Sequence, residues 1–240
     1  MATLLVTGTD TGIGKTVVTS AIAAALAARG ARVAVAKPAE TGCTPDPEDA
    51  LALRAAAGDP SPIEVVCPWT LPDPLAPALA AERAGVRIDV EGLITKLRAR
   101  SAAADVLLIE GAGGLLVPLR DTTSFADLAA RLPARVVVVV GSRLGAINHA
   151  LLTLEVLERR GITIAGYVVN ELGPPGELVV ATNDALLRGL TSARHLGTVP
   201  WTPDAPALLT ALRGTGSAVG DARARLAELG AALDLDALTH

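Results

Sequence analysis

The first residues that could do chemistry lie near the N-terminus, in Gly8-Thr9-Asp10-Thr11-Gly12-Ile13-Gly14-Lys15-Thr16. An apolar run precedes this segment and a helical pattern follows it. Glycines let backbone N–H groups approach phosphate oxygens, and a helix start adds a favourable dipole. In such a loop Lys15 reaches the β- and γ-phosphates, and the Thr16 hydroxyl ligates Mg²⁺. The segment therefore predicts binding of ATP with Mg²⁺, although its spacing is one residue longer than the strict pattern and Thr9 takes the first glycine position.

The second candidate is Lys37, which follows the next apolar run. Only three of the 21 basic residues are lysines, namely Lys15, Lys37 and Lys96. A chain that otherwise uses arginine is expected to keep lysine where a compact ammonium is required. We therefore expect Lys37, held by Pro38, to meet an anionic group at the mouth of the phosphate loop, whereas Lys96 has the pattern of a solvated helix face. Thr41 either hydrogen-bonds a substrate or belongs to a turn.

Acidic residues follow in two places. Glu110 precedes the glycine-rich Gly111–Gly114 at the end of a third apolar run, where a Mg²⁺ ligand belongs beside a phosphate loop. The alternative for Glu110 is a carboxylate that caps a strand before a turn. Asp46, Glu48 and Asp49 open a helical pattern, and favourable interaction with the helix dipole explains such charges without a metal. The residue types alone do not choose among these three acids.

A nucleotide base could rest near two further strand ends. Asn170 follows the fifth apolar run, and Pro200-Trp201 follows the sixth. Trp201 either stacks on a base or closes an edge of the core. His149, at a helix start, has no identified partner in the sequence and is interpreted as structural.

The elements that must position these residues alternate between strand and helix patterns, which is typical of βαβ units. Continuous apolar strands indicate a sheet covered on both faces and therefore mainly parallel. The predicted strands are Thr3–Thr7, Val33–Ala36, Val106–Ile109, Val136–Val140, Ile164–Val169 and Leu196–Val199. The predicted helices are Lys15–Arg29, Glu48–Ala57, Val90–Arg100, Phe125–Leu132, Ile147–Arg160, Glu177–Leu190 and two near the C-terminus.

These patterns predict an α/β fold, a single doubly wound, mainly parallel sheet with helices on both faces, of the P-loop NTPase type. Ligands of such sheets bind outside the carboxyl ends of the strands, where the candidate residues lie. We expect residues 1–240 to form one catalytic domain. The proline-rich segment Pro60–Pro77 is predicted to be an irregular surface connection.

Composition excludes several function classes. Half of the residues are hydrophobic, 19% are charged and the net charge is −4, without a Lys/Arg cluster that would favour nucleic acid or an anionic membrane. The longest uncharged helical stretch, Thr16–Ala28, is too short to span a bilayer, and no secretion signal precedes it. Cys43 and Cys67 lack metal-site spacing and are expected to be reduced thiols. The sequence thus predicts a cytoplasmic protein that acts on small molecules.

Taken together, the motifs resemble those of the dethiobiotin synthetases, which close a cyclic urea in the biotin pathway. The resemblance spans most of the chain in order, and the final forty residues contribute little to it. It rests on Gly-Thr-Asp-Thr-x-x-Gly-Lys-Thr at 8–16, Lys-Pro-x-x-Thr-Gly at 37–42, Asp-Ala-Leu-Ala-Leu at 49–53, Glu-Gly-Ala-Gly-Gly at 110–114, Phe-Ala-Asp at 125–127, Leu-Gly-x-Ile-Asn-His at 144–149 and Pro-Trp at 200–201.

The resemblance implies a reaction that converts 7,8-diaminononanoate, CO₂ and ATP into dethiobiotin, ADP and phosphate. One substrate amine captures CO₂ as a carbamate, and a carbamate oxygen attacks the γ-phosphate. The other amine then closes the ring on the mixed anhydride with loss of phosphate. Most of this chemistry is positioning and charge neutralisation, the usual basis of phosphoryl-transfer catalysis.

The resemblance also implies residue roles. Lys37 would contact the carbamate and the γ-phosphate, and Lys15 the β- and γ-phosphates; both are expected to be catalytic. Mg²⁺ would be held by Thr16, Asp49 and Glu110, which selects Asp49 among the three acids. The implied ATP-binding residues are Gly12, Ile13, Gly14, Lys15, Thr16, Val17, Asp49, Glu110, Gly111, Ala112, Gly113, Asn170, Glu171, Pro200, Trp201 and Thr202.

The implied assembly is a homodimer with the substrate site at the subunit interface. Thr41 would contact the substrate, and the loop from Leu144 to His149 of the other subunit would meet its carboxylate. Leu144, Gly145 and Asn148 are the expected contacts in that loop, because backbone N–H groups at a helix start favour an anion.

Two other classes share parts of this pattern. Regulatory P-loop ATPases that position septa or partition chromosomes carry a second lysine near the start of the loop, where this chain has Asp10. Amide-forming ligases of the cobyrinate type continue into a glutaminase domain, for which this chain is expected to be too short. Within the dethiobiotin synthetase pattern, Gly12 stands where some members carry an acidic residue, and Glu171 stands where others carry Asp after Asn. Both departures leave the base preference and the affinity for the nucleotide open.

Overall fold

The computed structural model of the chain describes residues 1–239. Its strands are β1 Ala2–Gly8, β2 Val33–Ala36, β3 Ala39–Thr41, β4 Trp69–Leu71, β5 Val106–Gly114, β6 Pro118–Arg120, β7 Thr123–Ser124, β8 Arg135–Ser142, β9 Ile164–Glu171 and β10 His195–Val199. Its helices are α1 Lys15–Ala28, α2 Glu48–Ala57, α3 Ile63–Val66, α4 Pro77–Arg83, α5 Val90–Ala103, α6 Phe125–Arg131, α7 Ala146–Arg159, α8 Leu178–Leu190, α9 Ala205–Leu212, α10 Ser217–Ala231 and α11 Asp236–Thr239.

Six strands form one parallel sheet in the order β10-β9-β8-β1-β5-β2, which confirms the predicted fold class. These are the six strands expected from the apolar runs. The register brings the candidate site together. Val6 lies opposite Glu110, and Ala36 lies opposite Ile109. Lys37, which follows Ala36, is therefore brought alongside Glu110 at the carboxyl edge of the sheet.

Helices cover both faces of the sheet, as buried parallel strands require. One apolar core lies under α1, α2, α9 and α10, and the other under α4 to α8. Helices α1 and α10 approach closely, since a Cβ on Gly230 would lie 2.1 Å from the Ala21 carbonyl oxygen. The C-terminal helices, to which the sequence assigned no role, thus complete the layer that carries the phosphate loop.

The interpretation of Pro60–Pro77 as irregular was wrong in part. This segment contains α3 and β4, and β4 pairs in parallel with β3 through Ala39 with Trp69 and Thr41 with Leu71. The prolines flank these elements rather than interrupt them, and elements of three or four residues are too short to show a periodicity. The pairing anchors the chain that runs from Lys37 to Gly42.

The helices of residues 1–239 include none with the length and apolar character that crossing a membrane would need.

Candidate active site

The phosphate loop is a tight turn with a backbone conformation that favours glycine at two positions. Gly12 and Gly14 have left-handed φ angles of 73° and 81°, and α1 begins directly after Gly14. The Asn170 side chain donates a hydrogen bond to the Ile13 carbonyl at 2.9 Å. A Cβ at Gly14 would lie 2.2 Å from the same amide nitrogen. Asn170 therefore braces the loop from the end of β9.

Lys15 is the first residue of α1 and is 7% exposed. Its Nζ donates to the Asp10 carbonyl at 2.9 Å, across the loop. Burial lowers the pKa of Lys15, and the neighbouring carboxylates act in the opposite direction. The ammonium thus lies beside the cavity that the loop encloses, within the reach of a bound phosphate chain.

Lys37 is held between two carboxylates. Its Nζ lies 2.6 Å from Glu110 Oε1 and 2.9 Å from Asp49 Oδ2. Its side chain is 4% exposed and that of Glu110 is fully buried. Burial alone would lower the pKa of Lys37, but the two carboxylates outweigh it and raise that pKa well above its usual value. Lys37 therefore remains a cation and suits charge stabilisation rather than proton abstraction.

Thr16, Asp49 and Glu110 form an oxygen-rich group beside Lys37. Thr16 Oγ1 donates to Glu110 Oε1 at 3.1 Å, and the charge on Lys37 lowers the pKa of Asp49 despite its burial. Glu110 Oε2 is buried and has no hydrogen-bond partner within residues 1–239. A buried carboxylate oxygen without a partner is costly, and this one is free to accept a cation.

This donor set fits Mg²⁺ bound together with a nucleotide. Residues 1–239 contain no group of three His, Cys, Asp or Glu side chains that could hold a metal unaided. Mg²⁺ usually takes only one or two carboxylates and completes its shell with water and substrate phosphates. Two carboxylates and a hydroxyl beside a phosphate loop meet that requirement.

A cavity of about 400 Å³ collects most of the predicted phosphate and substrate residues. Glu110 borders it through its contacts with Thr16 and Lys37. Ile13 and Gly111 lie outside the lining, because the Ile13 side chain is buried in the core and Gly111 packs against the Phe125 ring. The predicted residues that line the cavity are Gly12, Gly14, Lys15, Thr16, Val17, Lys37, Thr41, Asp49, Ala112 and Gly113.

A second cavity, of about 190 Å³, adjoins the first along Gly12, Gly14 and Val17. Of the predicted base-side residues, Asn170, Glu171, Trp201 and Thr202 line it. Glu171 Oε2 accepts a hydrogen bond from the Trp201 backbone at 3.1 Å and so ties the ends of β9 and β10 together. Pro200 is exposed and lies outside this lining. The two cavities therefore meet at the phosphate loop, and the smaller one lies beside the ends of β9 and β10.

The predicted substrate contacts in the loop before α7 line neither cavity. Leu144 is 89% exposed, and Gly145 and Asn148 are also exposed at the start of α7. Arg143, just before them, pairs with the Asp10 side chain of the phosphate loop. Within one chain these residues therefore face solvent, on the same edge of the sheet as the cavity.

Sequence reasoning missed several cavity residues, among them Leu172, Pro203, Ala205 and Pro206 of the smaller cavity. Two in the larger cavity are considered in turn, Leu209 and Glu40. Leu209 of α9 lines the larger cavity, and no local pattern could have indicated that, because the contact depends on how α9 packs against α2. Glu40 also lines it and is 7% exposed. Burial raises the pKa of Glu40 to about 7, against the opposing influence of Lys37 and two backbone donors. Its position three residues after Lys37 was the available signal.

Comparison with solved structures identifies the fold. A ParA family ATPase from Chlorobium tepidum superposes with a TM-score of 0.60 at 13% identity, over 99% of this chain and 98% of that chain. The MinC:MinD cell division complex of Aquifex aeolicus gives a TM-score of 0.57 at 17% identity, over 94% and 95%. Identities this low establish a shared architecture and carry no information about the reaction.

Comparison of sequences is more specific. A family model described as an AAA domain matches residues 2–207. The ATP-dependent dethiobiotin synthetase BioD of Anaeromyxobacter dehalogenans (strain 2CP-C) is 45% identical over 205 residues, 85% of this chain and 92% of that protein. The enzyme of the same name from Xanthomonas axonopodis pv. citri (strain 306) is 43% identical over 208 residues, 84% and 92% of the two chains. The chain that carries this phosphate loop and lysine–carboxylate group therefore belongs to the ATP-dependent dethiobiotin synthetase family.

Proposed function

We propose that this protein is an ATP-dependent cyclo-ligase that converts 7,8-diaminononanoate and CO₂ into dethiobiotin, with release of ADP and phosphate. The single observation that carries the proposal is the buried Lys37, held between Asp49 and Glu110 at the mouth of the phosphate loop. A fixed cation there can stabilise two anions at once, a carbamate and a γ-phosphate. The similarity to dethiobiotin synthetases over most of the chain supports the same reaction.

The proposed reaction begins with a bond between one substrate amine and CO₂, which gives a carbamate and releases a proton. A carbamate oxygen attacks the γ-phosphorus, and the bond from phosphorus to the ADP oxygen breaks. The second amine attacks the carbonyl carbon of this mixed anhydride, phosphate leaves, and the cyclic urea forms with loss of a proton. Lys37 would contact the carbamate and the γ-phosphate, and Lys15 the β- and γ-phosphates. Both act by stabilising negative charge that builds up during transfer.

We assign Mg²⁺ binding to Thr16, Asp49 and Glu110, on the strength of the unpartnered Glu110 oxygen. The ion would neutralise charge on the phosphate chain when bound. The second cavity, which Asn170, Glu171 and Trp201 line, is the proposed base site.

We further propose a homodimer in which the loop from Leu144 to His149 of one subunit meets the substrate carboxylate in the other. The exposure of Leu144, Gly145 and Asn148 supports this, because no group in the same chain covers them within residues 1–239. Sedimentation velocity is expected to give twice the chain mass. A monomer that makes product at the full rate would contradict the interface site.

The reaction is tested by incubating the protein with 7,8-diaminononanoate, bicarbonate, Mg²⁺ and ATP. The expected result is dethiobiotin, identified by mass, formed in equal amount with ADP. Carbon-13 bicarbonate should raise the product mass by about one unit, because the urea carbonyl derives from CO₂. Absence of product, with ATP hydrolysis that a protein or lipid surface stimulates instead, would favour a regulatory ATPase.

The single catalytic domain of residues 1–240 is part of the proposal, supported by the packing of α9 and α10 on α1 and α2. The cytoplasmic location expected from the sequence stays a prediction.

A further inference from the structure

Helix α2 begins without a capping side chain of its own. Its N-cap position is Pro47, which offers no hydrogen-bond acceptor in its side chain. The first N–H groups of a helix have no partner inside the helix and need one elsewhere. Here the acceptor comes from β3, nine residues before Asp49 in the chain. Glu40 Oε1 accepts a hydrogen bond from the Asp49 backbone, and Glu40 Oε2 accepts one from the Ala50 backbone, both at 2.9 Å.

The capping carboxylate belongs to a buried residue in a paired strand. Glu40 lies in β3, opposite Thr70 of β4, and is 7% exposed. One short segment therefore carries both Lys37 and Glu40. The Lys37 ammonium enters the site, and the Glu40 carboxylate binds the first turn of the helix that contains Asp49. Asp49 is thus held at two points. Its backbone N–H group donates to Glu40, and its side chain lies 2.9 Å from Lys37 Nζ.

Burial of this carboxylate has an energetic cost that an ordinary cap would avoid. Ser, Thr, Asp or Asn at the N-cap position satisfies the same N–H groups at the surface. A buried carboxylate that bridges two segments does more than cap, because it fixes the distance between them. Two hydrogen bonds to consecutive backbone groups also restrict rotation of the first turn of α2, and therefore the direction of the Asp49 side chain.

We propose that Glu40 is a positioning residue, which holds the first turn of α2 so that Asp49 points at the site of the metal and of Lys37. The inference rests on the proposed function, since it assigns Asp49 to that site. Glu40 acts through Asp49 and is not itself placed on the reacting atoms.

The test substitutes Glu40 with glutamine, which has nearly the same size. A glutamine amide can accept from one N–H group, but its NH₂ group would face the other, so one cap bond is lost. Binding of Mn²⁺ in the presence of ADP, measured by electron paramagnetic resonance, is expected to weaken about tenfold, as for other groups that orient a metal ligand. ADP binding without metal should change less than about twofold, because Glu40 contacts none of the phosphate-loop residues through the hydrogen bonds described above.

Asp46→Asn is the matched control for the lost charge. Asp46 is exposed and lies just before the same helix. The Asp46→Asn variant is expected to bind Mn²⁺ as the wild type does. Equal weakening in the Asp46 and Glu40 variants would overturn the proposal in favour of a general charge effect.

A double-variant cycle separates positioning from stability. In an Asp49→Asn background, Glu40→Gln should cause no further loss of Mn²⁺ affinity, because the residue through which it acts is already gone. The same loss in both backgrounds would mean that Glu40 only stabilises the fold. If Glu40→Gln does not fold, Glu40→Asp is the second variant, because it keeps the charge but reaches only one N–H group. Its Mn²⁺ affinity should lie between that of the wild type and the loss of about tenfold expected for Glu40→Gln. Wild-type affinity in Glu40→Asp would refute the proposal.

The outcome is distinguishable from failure of the proposed function. If the wild-type protein makes no dethiobiotin, the reaction is wrong, whereas the Mn²⁺ measurements still decide whether Glu40 positions Asp49.

Discussion

Substitution of Lys37 with glutamine is expected to lower turnover by about a thousandfold, the upper range for loss of one preorganised charge-stabilising group. The ammonium is the only proposed contact shared by the carbamate and the γ-phosphate. Glutamine is similar in reach but neutral, so it cannot stabilise the charge that develops between them. Dethiobiotin formation under saturating substrates gives the loss in kcat directly.

The same variant should fold but be less stable. Removal of one partner from a buried ion pair costs about 3–5 kcal/mol, since the remaining charges lose their compensation. Here the fully buried Glu110 would be left with only the Thr16 hydroxyl. Urea denaturation should therefore show a lower free energy of unfolding, and Mg²⁺ with ADP should restore part of it.

Lys96→Gln is the control, because Lys96 is an exposed lysine on α5. It should match the wild type in both turnover and stability. Product formation by Lys37→Gln at a rate near that of Lys96→Gln would refute the catalytic role of Lys37.

Substitution of Glu110 with glutamine is expected to lower turnover by about a hundredfold or more, through loss of metal binding. Glu110 supplies the buried oxygen that has no partner within residues 1–239, and it shares its other oxygen between Lys37 and Thr16. Glutamine keeps one acceptor oxygen and replaces the other with a donor that cannot bind a cation. The Mn²⁺ affinity measured with ADP should fall, while the affinity for ADP alone should remain.

Glu158→Gln, at an exposed position on α7, is the matched control and should resemble the wild type. If Glu110→Gln keeps full Mn²⁺ affinity but loses turnover, Glu110 would serve only to hold Lys37. That result would remove it from the proposed metal site.

Asp10 links the phosphate loop to two basic residues. Its carboxylate pairs with Arg143 and its carbonyl oxygen binds Lys15. A lysine side chain at position 10 would repel Arg143, whereas the backbone carbonyl that Lys15 binds would remain.

The sequence by itself determined the six strands of the main sheet, the phosphate loop and the placement of Lys37 and Glu110 at strand ends. These depend on local features, namely continuous apolar runs, a glycine-rich loop before a helix, and polar residues that directly follow a strand. Local patterns survive folding because they reflect the backbone geometry of the segment in which they occur.

Only the tertiary structure decided how those residues meet. Lys37 and Glu110 are 73 positions apart, and their 2.6 Å contact depends on the register between β2 and β5. The positions of Glu40 and Leu209 at the cavity depend on the packing of α2 and α9, which no short pattern encodes. Packing depends on many weak contacts that are spread over the whole chain, so a short segment cannot predict it. The sequence therefore indicated the chemistry, and the fold established which side chains share the cavity.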